Sequence, residues 1–310
     1  MKLSVVIVNY NVKYFLHQAL SSIYKSEVDF EYDVYVVDNA SVDGSAEMVE
    51  QFFTDVKLIA SPDNLGFSKG NNLAIRKSTA EYVLLLNPDT IIREDTLQQV
   101  VNYMDAHPDG GALGVKMYDG QGKFLPESKR GFPSPKVAFY KMSGLSKLFP
   151  KSKRYGEYHL GYLDENKIHE IDVLSGAFML LRKEALDKVG LLDEDYFMYG
   201  EDIDLSYRIQ SAGYKNYYFP NAPIIHFKGE STKKGSLNYV RVFYQAMIIF
   251  ARKHLQNKGG KSYIFLLQLA IYFRAGIALV NRFASSIGMQ VVDTSILIGT
   301  FIGMSWFWEN

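Results

Sequence analysis

The first strand-like stretch of the chain decides the fold, and it reads LSVVIVNYN at residues 3–11. Its apolar part, Leu3–Val8, contains a single serine, and continuous runs of this kind are typical of strands buried on both faces of a sheet. Similar runs follow at Asp33–Val37, Val56–Ile59 and Tyr82–Leu86, with helical patterns between them. Because strands that alternate with helices form right-handed βαβ units, the first ninety residues predict an α/β fold with a mostly parallel central sheet and flanking helices.

The α/β pattern continues through the middle of the chain. Gly111–Met117 and Ser175–Leu181 have the composition of further strands, and the second is followed by a helical pattern. Another helix is predicted to begin after Gly200. On that helix Asp204 and Arg208 lie four residues apart, so we expect their side chains to pair.

The composition excludes several classes of protein. The chain has 310 residues, no cysteine and 47% hydrophobic residues, so disulfide scaffolds and thiolate metal sites are impossible and disorder is not expected. Its 34 basic residues balance its 34 acidic residues, which argues against non-specific binding to nucleic acid. Met1 and Lys2 lead directly into the first strand without the features of a signal peptide, so we expect a cytoplasmic start.

Polar residues gather at one edge of the predicted sheet. Three of the predicted strands end in polar segments, which are Asn9–Asn11, Asp38–Ser41 and Asn87–Asp89. The remaining strand is followed by a turn rich in glycine and asparagine, Asn64–Asn72, where a helix begins. Ligands of open α/β sheets bind beyond the carboxyl ends of the strands, so these residues should line one crevice. Backbone amides at the helix start could meet a phosphate there. The first βα turn lacks G-x-G-x-x-G, which argues against a dinucleotide-dependent oxidoreductase.

An ordered series of motifs makes the chain similar to a known family. The series is VVIVNYN at 5–11, VDNASVDGS at 37–45, NLGFSKGNN at 64–72, LNPDT at 86–90, SGAFM at 175–179, GEDIDL at 200–205 and HFKGEST at 226–232. In this order the motifs resemble the family 2 glycosyltransferases over about residues 2–255. The resemblance implies the Rossmann-like GT-A fold. Within the family the chain resembles the rhamnosyltransferase-like branch, which builds bacterial surface polysaccharides.

The resemblance implies a donor site for a nucleotide sugar. Asp38 matches the strand-end carboxylate that holds the pyrimidine, and Asn87 stands where the family's D-x-D motif has its first aspartate. The residues expected to line the base are Val8, Asn9 and Tyr10. The residues expected beside the ribose or the diphosphate are Gly66, Lys69 and Asn71.

The resemblance also implies a metal site and a catalytic base. Asp89 and His226 match the family's metal-binding residues, and a divalent cation, Mg²⁺ or Mn²⁺, suits such ligands. The cation would neutralise charge that develops on the departing diphosphate. Asp202 matches the general base that takes the proton from the acceptor hydroxyl. Glu201 is expected to bind the acceptor, and a single displacement would invert the anomeric centre.

Charge is distributed unevenly along the chain. Ser128–Gly156 contains eight basic residues and no acidic one, with aromatic and aliphatic residues between them. The stretch is predicted to be a solvated surface loop, or else a surface for anionic lipid headgroups or for the pyrophosphate of a polyprenyl-linked acceptor. Nucleic acid is a third and weaker alternative. The acidic residues concentrate at Asp193–Asp204, which holds six of them and no basic residue.

The last part of the chain has few charges. Tyr263–Asn281 is predicted to be an amphipathic helix, and Thr294–Trp308 is uncharged but shorter than the roughly twenty residues that span a membrane. We therefore expect a catalytic domain over residues 1–255 and a helical appendage over residues 256–310. The appendage should bind the cytoplasmic face of a membrane, and the alternative is a homo-oligomer interface formed by its helices.

Taken together, these features predict an inverting, metal-dependent glycosyltransferase. It would transfer a sugar from a UDP- or dTDP-sugar to a saccharide or lipid-linked acceptor in the synthesis of a cell-surface polysaccharide. The alternative is a catalytically inactive module that binds a nucleotide sugar or a carbohydrate. A processive synthase is disfavoured, because the chain has no Q-x-x-R-W motif and no set of long spanning helices.

Overall fold

The computed structural model describes residues 1–227 and 237–254, and beyond them residues 294–300 and isolated helical positions between 265 and 308. The chain divides into two compact units, Met1–Phe250 and Ala251–Asn310. The domain boundary predicted at residue 255 lies outside the described residues and stays a prediction.

The four strands predicted in the first ninety residues are present and parallel. The elements are β1 Leu3–Asn9, α1 Lys13–Ile23, β2 Tyr32–Asn39, α2 Ser45–Phe52, β3 Lys57–Ser61, α3 Gly66–Ile75 and β4 Tyr82–Leu86. The strands lie in the order β3-β2-β1-β4. The buried residues of α1 recur every three or four positions, as the sequence pattern predicted.

The remaining elements extend the sheet and cover its faces. They are β5 Thr90–Ile91, α4 Thr96–Ala106, β6 Gly110–Tyr118, α5 Pro135–Met142, α6 Leu145–Leu148, β7 His169–Glu170, β8 Phe178–Arg182, α7 Lys183–Val189, α8 Glu201–Ser211, β9 Lys215–His226 and α9 Leu237–His254. The predicted strands around residues 111–117 and 175–181 correspond to β6 and β8, and the predicted helix after Gly200 is α8.

The sheet is mixed, which corrects the prediction of a mostly parallel one. Its order is β3-β2-β1-β4-β8-β6-β9-β5, with β7 paired to β9. Four of the pairings are parallel, and four are antiparallel. The change of direction comes from β8, which lies between β4 and β6 and runs opposite to both. All five residues of β8 are buried, so its apolar run looks like that of a parallel strand and does not report direction.

Alternate side chains of β1 enter two different hydrophobic clusters. Leu3, Val5 and Ile7 belong to one cluster, whereas Val6 belongs to the other. The first cluster includes residues of α1 and α4, and the second includes residues of α3 and α8. Successive residues of a strand point to opposite faces, so both faces of the sheet are closed by apolar packing. Polar groups that bind a ligand are thereby left to the strand ends.

Among the described residues, no helix combines the length and the apolar character needed to cross a membrane. Residues 294–300 are helical. Most of Tyr263–Asn281 and most of residues 301–308 lie outside the described residues, so the amphipathic helix and the membrane or oligomer role of the appendage stay predictions.

Candidate active site

The ends of β1 and β2 hold a fixed carboxylate. Asn9 and Asp38 are register partners, and Asn9 Nδ2 donates to Asp38 Oδ1 at 2.9 Å. The other carboxylate oxygen, Oδ2, accepts the backbone N–H of Ser41 at 2.9 Å. Asp38 is only 3% exposed, and Asn9 Oδ1 is buried with no hydrogen-bond partner within the described part of the chain. The carboxylate therefore keeps one orientation while both of its oxygens retain lone pairs for a ligand.

Two turns next to this carboxylate adopt an unusual backbone conformation. Asn11 has a φ of 54° and Ala40 a φ of 61°, and neither is glycine. Two hydrogen bonds link the turns. Asn11 Oδ1 accepts the backbone N–H of Val42, and Ser41 Oγ accepts the backbone N–H of Asn11. Tyr10, which lies between Asn9 and Asn11 in the chain, is 43% exposed. Strained turns of this kind are concentrated at binding sites, and here one of them follows an accessible aromatic side chain.

The glycine-rich turn at the start of α3 is fixed by contacts with Phe197 on one side and Asn39 on the other. A Cβ built on Gly66, whose φ is +78°, would lie 2.4 Å from the backbone oxygen of Phe197. Phe67 N donates to that same oxygen at 2.7 Å. On the other side, Asn39 Nδ2 donates to Gly66 O at 3.0 Å, and Asn39 Oδ1 accepts the N–H of Leu65. Gly66 is therefore required by the close approach of the residue 197 loop.

Other residues predicted for the donor site have different surroundings. Val8 packs against α3, since a Cβ built on Gly70 would lie 3.0 Å from Val8 Cγ1. Asn71 is buried, and its Nδ2 donates to Phe67 O while its Oδ1 has no partner among the described residues. Lys69 is exposed on α3. The structure thus gathers Asn9, Asp38 and the α3 turn, whereas Val8 is used in packing.

Strand register brings Asp89 and His226 together across 137 positions of sequence. Thr90 pairs with His226 in the antiparallel β5–β9 ladder, and Phe227 N donates to Asp89 O at 2.9 Å. His226 Nε2 lies 3.3 Å from Asp89 Oδ1. This approach is not aligned as a hydrogen bond, and Asp89 Oδ1 is a buried atom without a hydrogen-bond partner in the described part of the chain. Asp89 is 1% exposed.

The pair fits a divalent cation only in part. A buried carboxylate oxygen without a donor and an imidazole nitrogen facing it are suitable ligands for Mg²⁺ or Mn²⁺. Within the described residues there is no group of three His, Cys, Asp or Glu side chains that could hold a metal. The protein therefore offers two ligands here, and oxygens of a diphosphate and water would have to complete the shell.

The acidic motif begins α8, as predicted. Gly200, with a φ of +87°, precedes the helix, and Glu201, Asp202 and Asp204 lie in its first turn. The predicted pair is confirmed, since Arg208 Nε donates to Asp204 Oδ2 at 2.8 Å. Asp202 Oδ1 accepts the backbone N–H of Ile203 at 2.8 Å. Of the three acidic residues of the turn, Asp204 is the one that pairs with Arg208.

Glu201 has a different environment from its neighbour. Its side chain is buried, and Oε2 has no hydrogen-bond partner within the described residues. Burial, with the negative charge of Asp202 as the next cause, raises the pKa of Glu201 to about 8. At neutral pH Glu201 is therefore largely protonated and can donate a hydrogen bond, whereas an ionised carboxylate can only accept one.

Arg130 is a functional candidate that the sequence does not reveal. It belongs to the basic stretch Ser128–Gly156, but its side chain is only 13% exposed and its guanidinium donates to Asp202 Oδ2 and to Leu174 O. The neighbouring Lys129 is 2% exposed and donates to Leu160 O at 2.7 Å. Two of the eight bases are therefore not on the surface. No sequence signal separates them from the others, because a charge run does not show which members turn inward.

The loop before β8 connects the separate parts of the site. Asn87 N donates to Ala177 O at 3.0 Å, which ties the end of β4 to this loop. A Cβ built on Gly176 would lie 3.6 Å from the Phe67 ring and 3.8 Å from Asp202 Cβ. The turn of α3, the Asn87–Asp89 segment and the start of α8 thus converge on Gly176 and Ala177. The segments that carry the predicted donor site, the predicted metal ligands and the predicted catalytic base are therefore adjacent in the fold.

Comparison with known proteins shows the family to which the chain belongs. The family model for glycosyl transferase family 2 matches residues 4–190, and the chain belongs to that family. It is therefore a glycosyltransferase. The N-acetylglucosaminyl-diphospho-decaprenol L-rhamnosyltransferase of Mycobacterium tuberculosis is 28% identical over 259 residues, which are 80% of this chain and 83% of the relative. This relative agrees with the predicted resemblance to the rhamnosyltransferase-like branch.

Two solved structures share the fold. One is TarS residues 1–349 from Staphylococcus aureus in complex with UDP-GlcNAc, with a TM-score of 0.56, 20% identity and coverage of 86% of this chain and 70% of that one. The other is the mannosyltransferase PcManGT from Pyrobaculum calidifontis in complex with GDP-Man and Mn²⁺, with a TM-score of 0.56, 18% identity and coverage of 90% and 72%. At these identities the likeness shows the GT-A-like fold alone.

Proposed function

We propose that the protein transfers a sugar from a pyrimidine nucleotide sugar to an acceptor hydroxyl with inversion at the anomeric carbon. The observation that carries the proposal is the place of Asp202 in the first turn of α8, against Gly176 and the α3 turn. A carboxylate at this point can act as the general base. The acceptor oxygen forms a bond to C1 of the sugar while the bond from C1 to the phosphate oxygen breaks. The proton passes to Asp202, and the nucleoside diphosphate leaves with the electron pair.

The ends of β1 and β2 support a UDP- or dTDP-sugar as the donor. Asp38 is held by Asn9 and by the Ser41 N–H, and a carboxylate can accept the N3–H of uracil or thymine. The exposed ring of Tyr10, the residue after Asn9, can stack on a base. The fold alone does not select the base, since the two solved neighbours carry UDP-GlcNAc and GDP-Man. The name of the Mycobacterium tuberculosis relative suggests rhamnose as the sugar.

Asp89 and His226 would hold the divalent cation, with Asn87 beside the diphosphate. When bound, the cation would stabilise the negative charge of the leaving diphosphate. The neighbouring structure with Mn²⁺ supports this choice of cofactor. Protonated Glu201 would donate to an acceptor hydroxyl next to the one that reacts, and so orient the nucleophile towards Asp202.

We further infer a lipid-linked acceptor at the cytoplasmic face of a membrane. The acceptor in the name of the Mycobacterium tuberculosis relative is a diphospho-decaprenol, which is such a lipid. Exposed residues from the end of α6 to residue 154 support membrane contact, because basic and apolar side chains occur together in this segment. We call this set the basic-apolar patch, and it consists of Lys147, Leu148, Phe149, Lys151, Lys153 and Arg154. Such a patch can bind anionic headgroups through its charges and insert its apolar side chains.

A donor panel tests the proposal. Purified full-length protein would be mixed with UDP-, dTDP- and GDP-sugars, with and without Mn²⁺, and both the melting temperature and nucleoside diphosphate release would be measured. We expect a rise in melting temperature and Mn²⁺-stimulated release with one pyrimidine nucleotide sugar. Preference for a GDP-sugar would contradict the role of Asp38. Binding without release for any donor or metal would favour the alternative, a catalytically inactive binding module.

A further inference from the structure

The guanidinium of Arg130 is brought to the base by the chain segment that follows β6. Arg130 forms an isolated bridge with Val173, and Val173 N donates to Arg130 O at 2.9 Å. Its side chain crosses from this bridge to Leu174 O and to Asp202 Oδ2. Arg130 is 13% exposed and Asp202 14%, so the ion pair is largely withdrawn from water. Ion pairs in such surroundings depend on geometry far more than exposed ones do.

The backbone around Arg130 is fixed independently of Asp202. Gly131 N donates to Tyr158 O at 3.0 Å, and a Cβ built on Gly131 would lie 2.4 Å from Glu157 O. Phe132 N donates to Asp172 Oδ2 at 3.3 Å. These contacts fix the backbone next to residue 130, and none of them involves α8. The side chain of Arg130 therefore reaches Asp202 from a fixed backbone position.

Among the residues that the structure describes, the charges around the pair leave Asp202 with one cation. The titratable and charged groups that act on this cluster are Arg130, Glu201, Asp204 and Tyr158. Asp204 has its own partner in Arg208, and Glu201 is largely protonated at neutral pH because burial raises its pKa. Arg130 thus provides the positive charge that balances Asp202. An opposite charge at hydrogen-bond distance favours the ionised form of a carboxyl group.

We propose that Arg130 is the positioning residue of the general base. It holds Oδ2 of Asp202 and fixes the orientation of the carboxylate, so that a remaining lone pair can face the acceptor proton. Arg130 keeps all of its own protons, because a guanidinium is not deprotonated in proteins. When Asp202 receives the acceptor proton, the charge balance of the pair is lost, which favours release of that proton afterwards. This inference rests on the proposed role of Asp202.

The test compares two variants of Arg130 with a matched control. Arg130→Gln removes the charge and keeps a hydrogen-bonding side chain, and Arg130→Lys keeps the charge but loses the planar fork. The control is Lys129→Met, which removes a buried cation from the adjacent residue, where it contacts Leu160 O and not Asp202. Donor affinity, melting temperature, kcat and the pH dependence of kcat/KM would be measured for all of them and for Asp202→Asn.

We expect Arg130→Gln to lower kcat by about 100-fold with donor affinity unchanged, and to move the acid-side midpoint of the activity profile to higher pH. Arg130→Lys should keep the wild-type midpoint with kcat lowered by about tenfold. Lys129→Met should keep the midpoint whatever its melting temperature. A wild-type midpoint in Arg130→Gln, or an equal shift in Lys129→Met, would overturn the inference.

Two further outcomes keep the test decisive. If Arg130→Gln does not fold, Arg130→Lys still decides, since wild-type kcat in that variant would show that the fork is not needed. If Asp202→Asn keeps wild-type transfer, the proposed function fails at the base itself. If instead only the inference about Arg130 is wrong, Asp202→Asn will be inactive and the Arg130 variants will behave as the wild type does.

Discussion

Two adjacent carboxyl groups acquire different tasks from their immediate surroundings. Glu201 is buried with an unpartnered oxygen among the described residues, and burial raises its pKa to about 8. Asp202, one position later, has a guanidinium on one oxygen and a backbone N–H on the other. The first group can donate to an acceptor, and the second can accept a proton. This division follows the general pattern in which environment separates an acid from a base of the same chemical type.

The raised pKa of Glu201 predicts how stability depends on pH. The folded state binds the proton more tightly than the unfolded state, so the free energy of unfolding falls as pH rises from about 4.5 to about 8. Glu201→Gln has no such proton to lose. Its melting temperature relative to the wild type should therefore increase across this range. A difference that does not change with pH would contradict the buried, protonated state.

The matched control for this prediction is Glu194→Gln. Hydrogen bonds from Asn72 and then Arg76 lower the pKa of Glu194, so its contribution to stability is present above the ordinary pKa and lost as pH falls. Glu194→Gln should therefore lose melting temperature relative to the wild type as pH rises through the acid range. The two variants are expected to show opposite trends in the same buffer series.

At the scale of elements, the turn into α3 depends on one close approach. Gly66 has a φ of +78° and no room for a Cβ, because the Phe197 oxygen would lie 2.4 Å away. Gly122 has the same φ of +78° with nothing within 4 Å of the same position. Gly122→Ala should cost about 1 kcal/mol, the usual penalty of a left-handed conformation. Gly66→Ala should cost more than about 3 kcal/mol and weaken donor binding.

Urea unfolding of these two variants, with donor binding measured alongside, checks this prediction. Equal losses of stability in Gly66→Ala and Gly122→Ala would mean that the contact with the residue 197 loop is not what requires glycine at the turn.

Elements were easier to predict from the sequence than the contacts between them. β1 to β4 and α8 follow from local patterns of apolar residues and glycines. The direction of β8 did not follow, since a fully buried strand has the same composition whichever way it runs. Asp89 and His226 are joined by the β5–β9 register, and only the resemblance to a family brought them together. The buried position of Arg130 could not be predicted, because the sequence of a basic run does not show which side chains point inward.

The net charge of zero is the sum of an acidic region and a basic region at different places in the molecule. The acidic start of α8 lies in the site, whereas the basic-apolar patch is exposed on the segment between β6 and β8. Each basic residue near an anionic membrane surface contributes about 1 kcal/mol to binding. The proposed membrane contact therefore predicts a large effect of a few substitutions.

The patch can be tested by reversing three charges. Lys147→Glu, Lys151→Glu and Lys153→Glu together should lower affinity for phosphatidylglycerol vesicles by about 100-fold or more in co-sedimentation. The control triple, Lys25→Glu, Lys77→Glu and Lys123→Glu, changes the net charge equally at exposed positions elsewhere. It should bind nearly as the wild type does. Equal loss in both triples, or equal binding to phosphatidylcholine vesicles, would contradict a docking role for the patch.

The central claim is that the carboxylate of Asp202 takes the acceptor proton. Its most direct test is sugar transfer by Asp202→Asn with donor affinity measured in the same preparation, and with exposed Asp195→Asn as the control from the same acidic run. The change is nearly isosteric, so we predict wild-type donor affinity in both variants, and transfer lowered by about 10²–10⁴-fold in Asp202→Asn alone. Wild-type transfer by Asp202→Asn would show that Asp202 is not the general base.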